Sequence, residues 1–271
     1  MAVKFSKMSG NGNDFIIFDN RKGEAGAFAG SADFVRKICA RGLSVGADGV
    51  IFIENSDKAD FKWQFFNSDG TVAEMCGNGA RCAARFAFLE GIAGSSMSFE
   101  TLAGIIKAEI KDNGEVKAML TAPRDLKTDM KVLIDGAEYT IHSVNTGVPH
   151  AVIFTDNVDN VDVMKSGSAV RYSDAFAPKG TNVNFIEVTG ADSLKIRTYE
   201  RGVEGETLAC GTGCAASAII AINKGFINSP VRLLTAGGKT VTVYYENGEV
   251  FLQGEGRRVY AGELSLEAYD Y

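Results

Sequence analysis

Residues 75–82 read Met75-Cys76-Gly77-Asn78-Gly79-Ala80-Arg81-Cys82, a cysteine and two glycines followed by small residues. A second stretch, Ala209-Cys210-Gly211-Thr212-Gly213-Cys214-Ala215, repeats the Cys-Gly-polar-Gly pattern 134 positions later. Each stretch predicts a turn that opens into a helix of small residues. Two thiols placed alike in one chain raise the hypothesis that each half of the protein contributes one thiol to a shared site.

The same offset relates residues far outside these two stretches. At 134 positions, Gly46 falls on Gly180, and Asn113-Gly114-Glu115-Val116 falls on Asn247-Gly248-Glu249-Val250. The register holds without a gap from about residue 46 to residue 120. A chance likeness between glycine-rich segments would match once but would not keep one register. We therefore predict a duplication into two similar mixed α/β domains, and the long period argues against a solenoid.

Composition limits the possible functions. The chain has 271 residues, of which 45% are hydrophobic and 23% charged, typical of a globular protein with one large or two ordinary domains. Its net charge is −6 and it lacks a Lys/Arg run, which disfavours nucleic acid and anionic membranes as partners. The start lacks the apolar core of a signal peptide and no apolar run is long enough to span a bilayer. We therefore expect a cytoplasmic protein.

The chain has five cysteines, an odd number in a protein large enough not to need disulfides. In a reducing compartment we expect them to be thiols. Cys39 adjoins the apolar face of a helix predicted to begin at the N-cap Ser31, so we expect it in the core. Cys82 and Cys214 follow the motif cysteines by six and four residues, where packing is the expected role.

Turn signals locate several other elements. Asn113-Gly114 predicts a hairpin between strands at about 104–112 and 115–121, and Asn247-Gly248 predicts one over about 239–254. Strands are also expected near 131–145, and a helix near 159–168. The segment Pro123–Asp129 is polar and poorly periodic, so we interpret it as a linker.

Each Cys-Gly pair stands before a predicted helix, whose first N–H groups have no partner within the helix. The positive end of the helix favours both a thiolate and a bound carboxylate. Glycines at this point let the backbone approach a ligand closely. Each half therefore offers a base or nucleophile beside an anion-binding turn.

Several chemistries compete for these thiols. Covalent thiol catalysis usually needs a histidine base, and the chain has only His142 and His150. It would also leave the second cysteine unexplained. The spacings within a zinc site of Cys76, Cys82, Cys210 and Cys214 depart from the usual C-x2–4-C pairs, and a redox pair lacks C-x-x-C. We favour two-base proton transfer, in which one thiolate removes a proton from a carbon and the opposite thiol delivers one.

The chain resembles the diaminopimelate epimerase family over nearly its whole length. The motifs that carry the resemblance are Gly12-Asn13-Asp14-Phe15, Phe66-Asn67-Ser68-Asp69-Gly70, Cys76–Cys82, Pro149-His150, Tyr199-Glu200-Arg201-Gly202 and Ala209–Gly213. The resemblance implies an isomerase that needs neither pyridoxal phosphate nor metal. It would interconvert LL- and meso-2,6-diaminopimelate on the route to lysine and peptidoglycan. The family also implies a homodimer.

The resemblance also implies an architecture. Two pseudo-symmetric domains are expected, each a β-barrel-like sheet wrapped around a helix, with the active site in the cleft between them. We place the N-terminal domain at 1–121, with 258–271 returning to it, and the C-terminal domain at 122–257. The residues from Arg257 onward would form a final strand.

Site residues follow from the matched motifs. Cys76 and Cys210 would be the acid/base pair, and His150 and Glu200 would tune the thiols. The N–H groups of Gly77-Asn78 and Gly211-Thr212 would bind the carboxylate at the reacting carbon. The remaining residues expected to bind substrate, mainly at its distal amino and carboxylate groups, are Asn13, Asn67, Asn182, Glu200 and Arg201.

The chain departs from the family pattern in places. Gly49 stands where many members have Gln, and Val148 stands where many have Asn, so two substrate contacts are missing. Relative to some members, Val203–Glu206 holds an extra residue, which is expected to change the shape of its loop.

Rival functions remain. They are a proline or hydroxyproline racemase and a non-catalytic amino-acid-binding protein. Arg201 and the asparagines favour a substrate with a second charged end. A phenazine-biosynthesis isomerase is disfavoured, because such proteins do not keep the cysteine pair.

Overall fold

The computed structural model describes residues 3–134 and 136–271. Met1 and Ala2, with which the predicted N-terminal domain begins, and Asp135, within the predicted strand region 131–145, lie outside the described residues. The chain is a mixed α/β protein made of two compact units. Unit 1 comprises the chain up to Met119 together with Gly254–Tyr271, and unit 2 comprises Leu120–Gln253.

Unit 1 consists of a sheet and two α-helices, and each helix packs in its own hydrophobic core. Its elements are β1 (Val3–Gly10), β2 (Asn13–Asp19), α1 (Ala32–Cys39), β3 (Gly49–Glu54), β4 (Phe61–Asn67), α2 (Gly77–Leu89), β5 (Ser96–Thr101), β6 (Gly104–Ile110), β7 (Val116–Met119) and β17 (Arg257–Leu264). The strands pair in the order β17-β1-β2-β3-β4-β5-β6-β7. The pairs β2–β3 and β4–β5 are parallel and the others are antiparallel.

Helix α2 occupies the larger core of unit 1 and contacts six strands, including β1, β6 and β7. Ala80, Ala83, Ala84 and Ala87 are fully buried along it, and their small side chains let strands approach on several sides. Helix α1 packs on β3 and β4 in a second core. It begins at Ser31, whose Oγ accepts the Phe34 N–H, and Cys39 is buried there, so both predictions are confirmed.

Unit 2 repeats this connectivity. Its elements are β8 (Arg124–Ile134), β9 (Ala137–Asn145), β10 (Pro149–Phe154), α3 (Val163–Arg171), β11 (Asn182–Gly190), β12 (Ser193–Glu200), β13 (Gly205–Thr207), α4 (Gly211–Asn223), β14 (Val231–Leu234), β15 (Thr240–Glu246) and β16 (Glu249–Gly254). The strands pair in the order β8-β9-β10-β11-β12-β14-β15-β16, and β13 adds to β12. The parallel pairs are β10–β11 and β12–β14.

The predicted duplication is confirmed in both units. Helices α2 and α4 each have 13 residues and begin 134 positions apart, and the parallel pair β2–β3 follows the β1–β2 hairpin as β10–β11 follows the β9–β10 hairpin. Helix α4 is buried almost all round from Gly213 to Ala221, the pattern of a core helix. The units differ in their edge strand: β1 pairs with β17 from the end of the chain, whereas β9 pairs with β8, which directly precedes it.

Two predicted elements need correction. The segment interpreted as a linker, Pro123–Asp129, lies mostly in β8. Irregular register against β9 and positive φ angles at Asp125 and Asp129 break the alternation by which a strand is recognised. The helix expected near 159–168 begins at Val163 instead, after a separate 3₁₀ turn at Val158–Asn160.

The helices of this protein are short. Within residues 3–134 and 136–271, no helix has the length and apolar character needed to cross a membrane.

Candidate active site

Cys76 is the N-cap of α2. Its sulfur accepts a hydrogen bond from the Gly79 N–H at 3.5 Å, and its side chain is half-buried. Burial raises the pKa of the Cys76 thiol, while the N–H groups of Gly79 and Asn78 oppose that rise. The predicted motif therefore places a thiol at a helix N-terminus, among donors that stabilise its anion.

A chain of side-chain hydrogen bonds fixes the polar residue of this motif. Arg81 is fully buried and its Nη2 donates to Asn78 Oδ1 at 2.5 Å. Asn78 Nδ2 donates to Asn13 Oδ1 at 2.5 Å, and Asn13 Nδ2 donates to Asp48 Oδ2 at 3.0 Å. Asn13 and Asn78, predicted from separate motifs, are thus joined directly, and each amide retains a second N–H for another acceptor.

An ion cluster anchors the strand that carries Asn13, and the sequence interpretation assigned it no role. Asp14 pairs with Lys7 at 2.9 Å and with Arg41 at 2.6 Å. Lys7 is buried and also donates to the Gly46 carbonyl. Burial raises the pKa of Asp14, but hydrogen bonds from Arg41 and Lys7 outweigh this effect and lower that pKa to about 2. Asp14 belongs to the motif that carries the resemblance, which was the available signal.

Asn67 lies at the exposed end of β4, opposite Gly49 of β3. Its Nδ2 donates to Thr71 Oγ1 at 3.0 Å. A Cβ atom at Gly49 would lie 2.7 Å from the Phe66 carbonyl oxygen and 2.8 Å from the Phe65 ring. The packing of β4 therefore excludes a side chain at position 49, which accounts physically for glycine at this place.

Cys210 is the N-cap of α4 and is 7% exposed. Its sulfur lies 3.5 Å from Thr212 Oγ1. Burial, together with the negative charge of Glu200, raises the pKa of the Cys210 thiol to about 11. The Thr212 hydroxyl and the N–H groups of Gly213 and Thr212 act in the opposite direction. Glu200 therefore influences this thiol through its charge.

His150 is 1% exposed and contacts Thr212 rather than a sulfur atom. Its Nε2 lies 3.0 Å from Thr212 Oγ1, and its Nδ1 lies 3.1 Å from Asn184 Nδ2. Burial, with the positive charge of Arg201, lowers the pKa of His150 to about 3. The imidazole is therefore neutral near pH 7, and the Thr212 hydroxyl lies between it and the Cys210 sulfur.

Asn182 and Arg201 lie together. Asn182 is buried opposite His150 in the β10–β11 pair, and its Oδ1 accepts the backbone N–H of Arg201 at 2.7 Å. The Arg201 guanidinium is half-buried and donates to the Lys179 carbonyl at 3.2 Å. Asn182 thus positions the loop that carries Arg201, and the oxygen of its amide already accepts a hydrogen bond from that loop.

The loop with the extra residue is held by Glu204. Its carboxylate accepts the Gly202 N–H at 3.0 Å, the Tyr172 hydroxyl at 2.9 Å and an Arg171 N–H at 3.1 Å. Those bonds, the Gly202 N–H first, lower the pKa of Glu204 to about 2. Glu204 therefore ties the turn that carries Glu200 and Arg201 to the C-terminal end of α3 and the residue after it.

Three further residues of unit 2 were not predicted. Thr146 Oγ1 donates to the Thr212 carbonyl at 2.9 Å, and its N–H donates to the Val148 carbonyl at 3.2 Å. Thr198 Oγ1 donates to Asn184 Oδ1 at 3.0 Å. Asn184 is a fully buried polar residue between Val183 and Phe185. An amide inside an apolar strand must find partners, and this was the signal that sequence alone offered.

Each unit therefore brings a thiol, a helix N-terminus and a hydrogen-bonded polar network together. In unit 1 the structure places Cys76, Gly77, Asn78 and Asn13 in one network, with Asn67 at the end of β4. In unit 2 it places Cys210, Gly211, Thr212 and His150 in another, beside the Asn182–Arg201 pair. Such a site can bind a carboxylate and move a proton to or from a neighbouring carbon.

Solved structures share this fold at low sequence identity. The phenazine biosynthesis protein of Bacillus anthracis matches with a TM-score of 0.69 and 17% identity, covering 98% of this chain and 100% of that one. A probable proline racemase from Agrobacterium radiobacter matches with a TM-score of 0.66 and 13% identity, covering 97% and 93%. At these identities the comparison establishes the fold alone.

Sequence comparison identifies the family. The family model for diaminopimelate epimerase matches residues 5–126 and 142–259. The diaminopimelate epimerase of Aquifex aeolicus is 50% identical, over 99% of this chain and 100% of that protein. The diaminopimelate epimerase of Archaeoglobus fulgidus is 43% identical, over 100% and 99%. The chain therefore belongs to the diaminopimelate epimerase family.

Proposed function

We propose that the protein interconverts LL- and meso-2,6-diaminopimelate by proton exchange at one α-carbon between Cys76 and Cys210. The observation that carries the proposal is that these two cysteines are the N-caps of equivalent buried helices in a duplicated chain. A base on one face of a carbon and an acid on the other can invert it without any movement of the substrate. Two similar thiols supply both without a cofactor.

In the proposed step, the thiolate of one cysteine removes the α-proton, forming an S–H bond while the C–H bond breaks. The electron pair left on carbon delocalises into the α-carboxylate. The second cysteine then transfers its S–H proton to the opposite face and becomes the thiolate. The enzyme is left with the two protonation states exchanged, ready for the reverse direction.

The energetic demand of this step falls on the helix starts. An α-proton of an amino acid is far less acidic than a thiol, so the developing charge must be stabilised strongly. The N–H groups of Gly77-Asn78 and Gly211-Thr212 are proposed to bind the carboxylate that carries this charge. Preorganised backbone donors of this kind typically contribute a factor of about 10² to 10³ in rate each.

Substrate selection is assigned to the other predicted residues. Arg201 presents a guanidinium suited to a distal carboxylate, and Asn182 holds its backbone. Asn13 and Asn67 retain amide hydrogens for the same substrate. Arg201 is what favours diaminopimelate over proline or hydroxyproline, since those substrates have no second charged end.

The experiment is an assay of the purified protein with LL-diaminopimelate, following the meso isomer by chiral chromatography. The proposal predicts conversion to an equilibrium mixture, and no racemisation of L-proline or trans-4-hydroxy-L-proline. Racemisation of proline alone would support the rival enzyme. Binding of LL-diaminopimelate with no conversion would support the amino-acid-binding protein.

The cellular setting is part of the same proposal. We place the protein in the cytoplasm, on the route to lysine and peptidoglycan, as a homodimer. Sedimentation equilibrium should give twice the chain mass of 28.9 kDa. A concentration-independent monomer would contradict the dimer without affecting the proposed reaction.

A further inference from the structure

Asn184 lies behind the Cys210 side of the site, and its contacts determine where the proton of His150 lies. Its Nδ2 is 2.9 Å from the Ala151 carbonyl oxygen, and its Oδ1 is 3.0 Å from the Thr198 hydroxyl. A carbonyl oxygen can only accept, so the atom facing Ala151 is the amide nitrogen. The orientation of the Asn184 side chain is thereby fixed.

The second hydrogen of Asn184 Nδ2 faces His150 Nδ1 at 3.1 Å. Nδ1 must therefore accept and carries no proton. A neutral imidazole has one N–H, so the proton lies on Nε2, which donates to Thr212 Oγ1 at 3.0 Å. The direction of each hydrogen bond follows from the one before it.

Thr212 completes the series. Its oxygen accepts from His150 Nε2, so its own hydrogen is available for the Cys210 sulfur at 3.5 Å. Its backbone is held independently, since the Thr146 hydroxyl donates to the Thr212 carbonyl at 2.9 Å. The charged groups near this series are Glu200, beside Cys210, and Arg201, beside His150.

We propose that Asn184 is a positioning residue that holds His150 as its Nε2–H tautomer, so that the Thr212 hydroxyl donates to the Cys210 sulfur. In this arrangement His150 orients a donor and does not remove the thiol proton. The catalytic purpose of that donor rests on the proposed function, whereas the direction of the hydrogen bonds does not.

The first test is the tautomer itself. The chain has two histidines, so nitrogen NMR of the ¹⁵N-histidine-labelled protein can be assigned with one variant, His142→Gln. The inference predicts that His150 carries its proton on Nε2 and does not titrate between pH 5 and 9. In Asn184→Asp the side chain can only accept, so the proton should move to Nδ1. An Nδ1–H tautomer in the unaltered protein would overturn the inference.

The second test measures the thiol. Each cysteine's rate of alkylation by iodoacetamide is followed against pH by peptide mass spectrometry. Thr212→Val and Asn184→Asp should each slow Cys210 about tenfold at a pH below its pKa, the expected effect of losing one hydrogen bond to a charged sulfur. Cys76, measured in the same sample, should not change, and Thr212→Ser should behave like the unaltered protein.

The outcomes separate cleanly. Parallel slowing of Cys76 and Cys210, or an unchanged Cys210 in Thr212→Val, would overturn the inference. If Asn184→Asp fails to fold by circular dichroism, the tautomer of the unaltered protein and the Thr212 pair still decide it. Neither measurement uses substrate, so an Nε2–H tautomer in a protein with no epimerase activity would reject the proposed function and leave this inference standing.

Discussion

The two helix starts, at Cys76 and Cys210, share a backbone but differ in their side-chain surroundings. Cys76 is half-buried and accepts the Gly79 N–H, and the next polar residue, Asn78, bonds to Asn13 and Arg81. Cys210 is 7% exposed, and the corresponding Thr212 lies between its sulfur and His150. The Cys-Gly-polar-Gly turn is the same in both units, whereas the side chains around each thiol differ.

The difference teaches that two equivalent helix starts can be alike in backbone geometry and unlike in charge. Glu200 raises the pKa of Cys210. Burial raises the pKa of Cys76 as well, and Asp48 adds to that rise, but the N–H groups of Gly79 and Asn78 and the charge of the fully buried Arg81 oppose it.

Removal of either motif cysteine should have the largest effect. Cys76→Ala and Cys210→Ala should each lower epimerisation about 10³-fold, since positioned acids and bases typically contribute about 10² to 10⁴. The matched control is Cys39→Ala, a buried thiol on α1. It should lower stability by roughly 1 kcal/mol and leave activity near that of the unaltered protein. Substantial turnover by either motif variant would contradict a two-thiol mechanism.

The second glycine of each Cys-Gly-polar-Gly motif should respond differently to substitution by alanine. A Cβ at Gly213 would collide with Asn184 Oδ1 and lie 3.3 Å from the Cys210 sulfur, whereas at Gly79 the nearest atoms are 3.5 Å away. Gly213→Ala should destabilise the protein by about 1–3 kcal/mol through overpacking. The free energy of unfolding of Gly79→Ala should lie within about 1 kcal/mol of that of the unaltered protein. Denaturant unfolding measures both, and equal losses would mean that the two turns are packed alike.

Thiol reactivity should separate the two sides next. At pH 8, iodoacetamide should modify Cys76 at least about tenfold faster than it modifies Cys210, because the reaction needs an accessible thiolate. Cys76 is half-buried, whereas burial and Glu200 raise the pKa of Cys210 to about 11. Peptide mass spectrometry after timed quenching gives both rates. Faster modification of Cys210 would contradict this difference in accessibility between the two thiols.

The smallest effect is expected at two turns that correspond in the repeat. Asp69 bonds within its own turn, to Thr71, whereas Glu204 reaches Arg171 and Tyr172. Glu204→Gln should raise the KM for LL-diaminopimelate severalfold by loosening the Arg201 loop, and Asp69→Asn should change it less. Steady-state kinetics compares the two variants. Equal KM values for Glu204→Gln and the unaltered protein would contradict the role of Glu204 in holding the Arg201 loop.

The same carboxylate gives a pH dependence. The pKa of Glu204 is lowered from 4.5 to about 2, so the folded state favours its charged form. Its contribution to stability is fully present above about pH 4.5 and is lost as the pH falls towards 2. Thermal unfolding of the unaltered protein and of Glu204→Gln should therefore converge over this range, and a constant difference would contradict the assignment.

The sequence predicted features that depend on local pattern or on the repeat. The 134-residue register located both core helices, because it relates two similar motifs. The Asn-Gly turns located both hairpins, because each turn signal lies within consecutive residues. The first part of strand β8 was missed, since positive φ angles at Asp125 and Asp129 disrupt its alternation.

The candidate site residues could be predicted from the sequence, but the hydrogen bonds that join them could not. His150 and Thr212 were selected from separate motifs, Thr212 for its N–H group, yet the structure joins them through the threonine hydroxyl across 62 positions. Asn184 bonds to His150 across 34 positions, and nothing local to either residue indicates that pairing. Contacts of this kind are set by strand register, which a single sequence does not reveal.

The most direct measurement is isotope incorporation during epimerisation of LL-diaminopimelate in heavy water. If one thiol removes the α-proton and the other supplies its own, the first meso product carries deuterium while the remaining LL substrate stays unlabelled. Mass spectrometry of the separated isomers, at less than one tenth of conversion, tests this. Meso product that keeps the substrate's proton would indicate a single base and contradict the account.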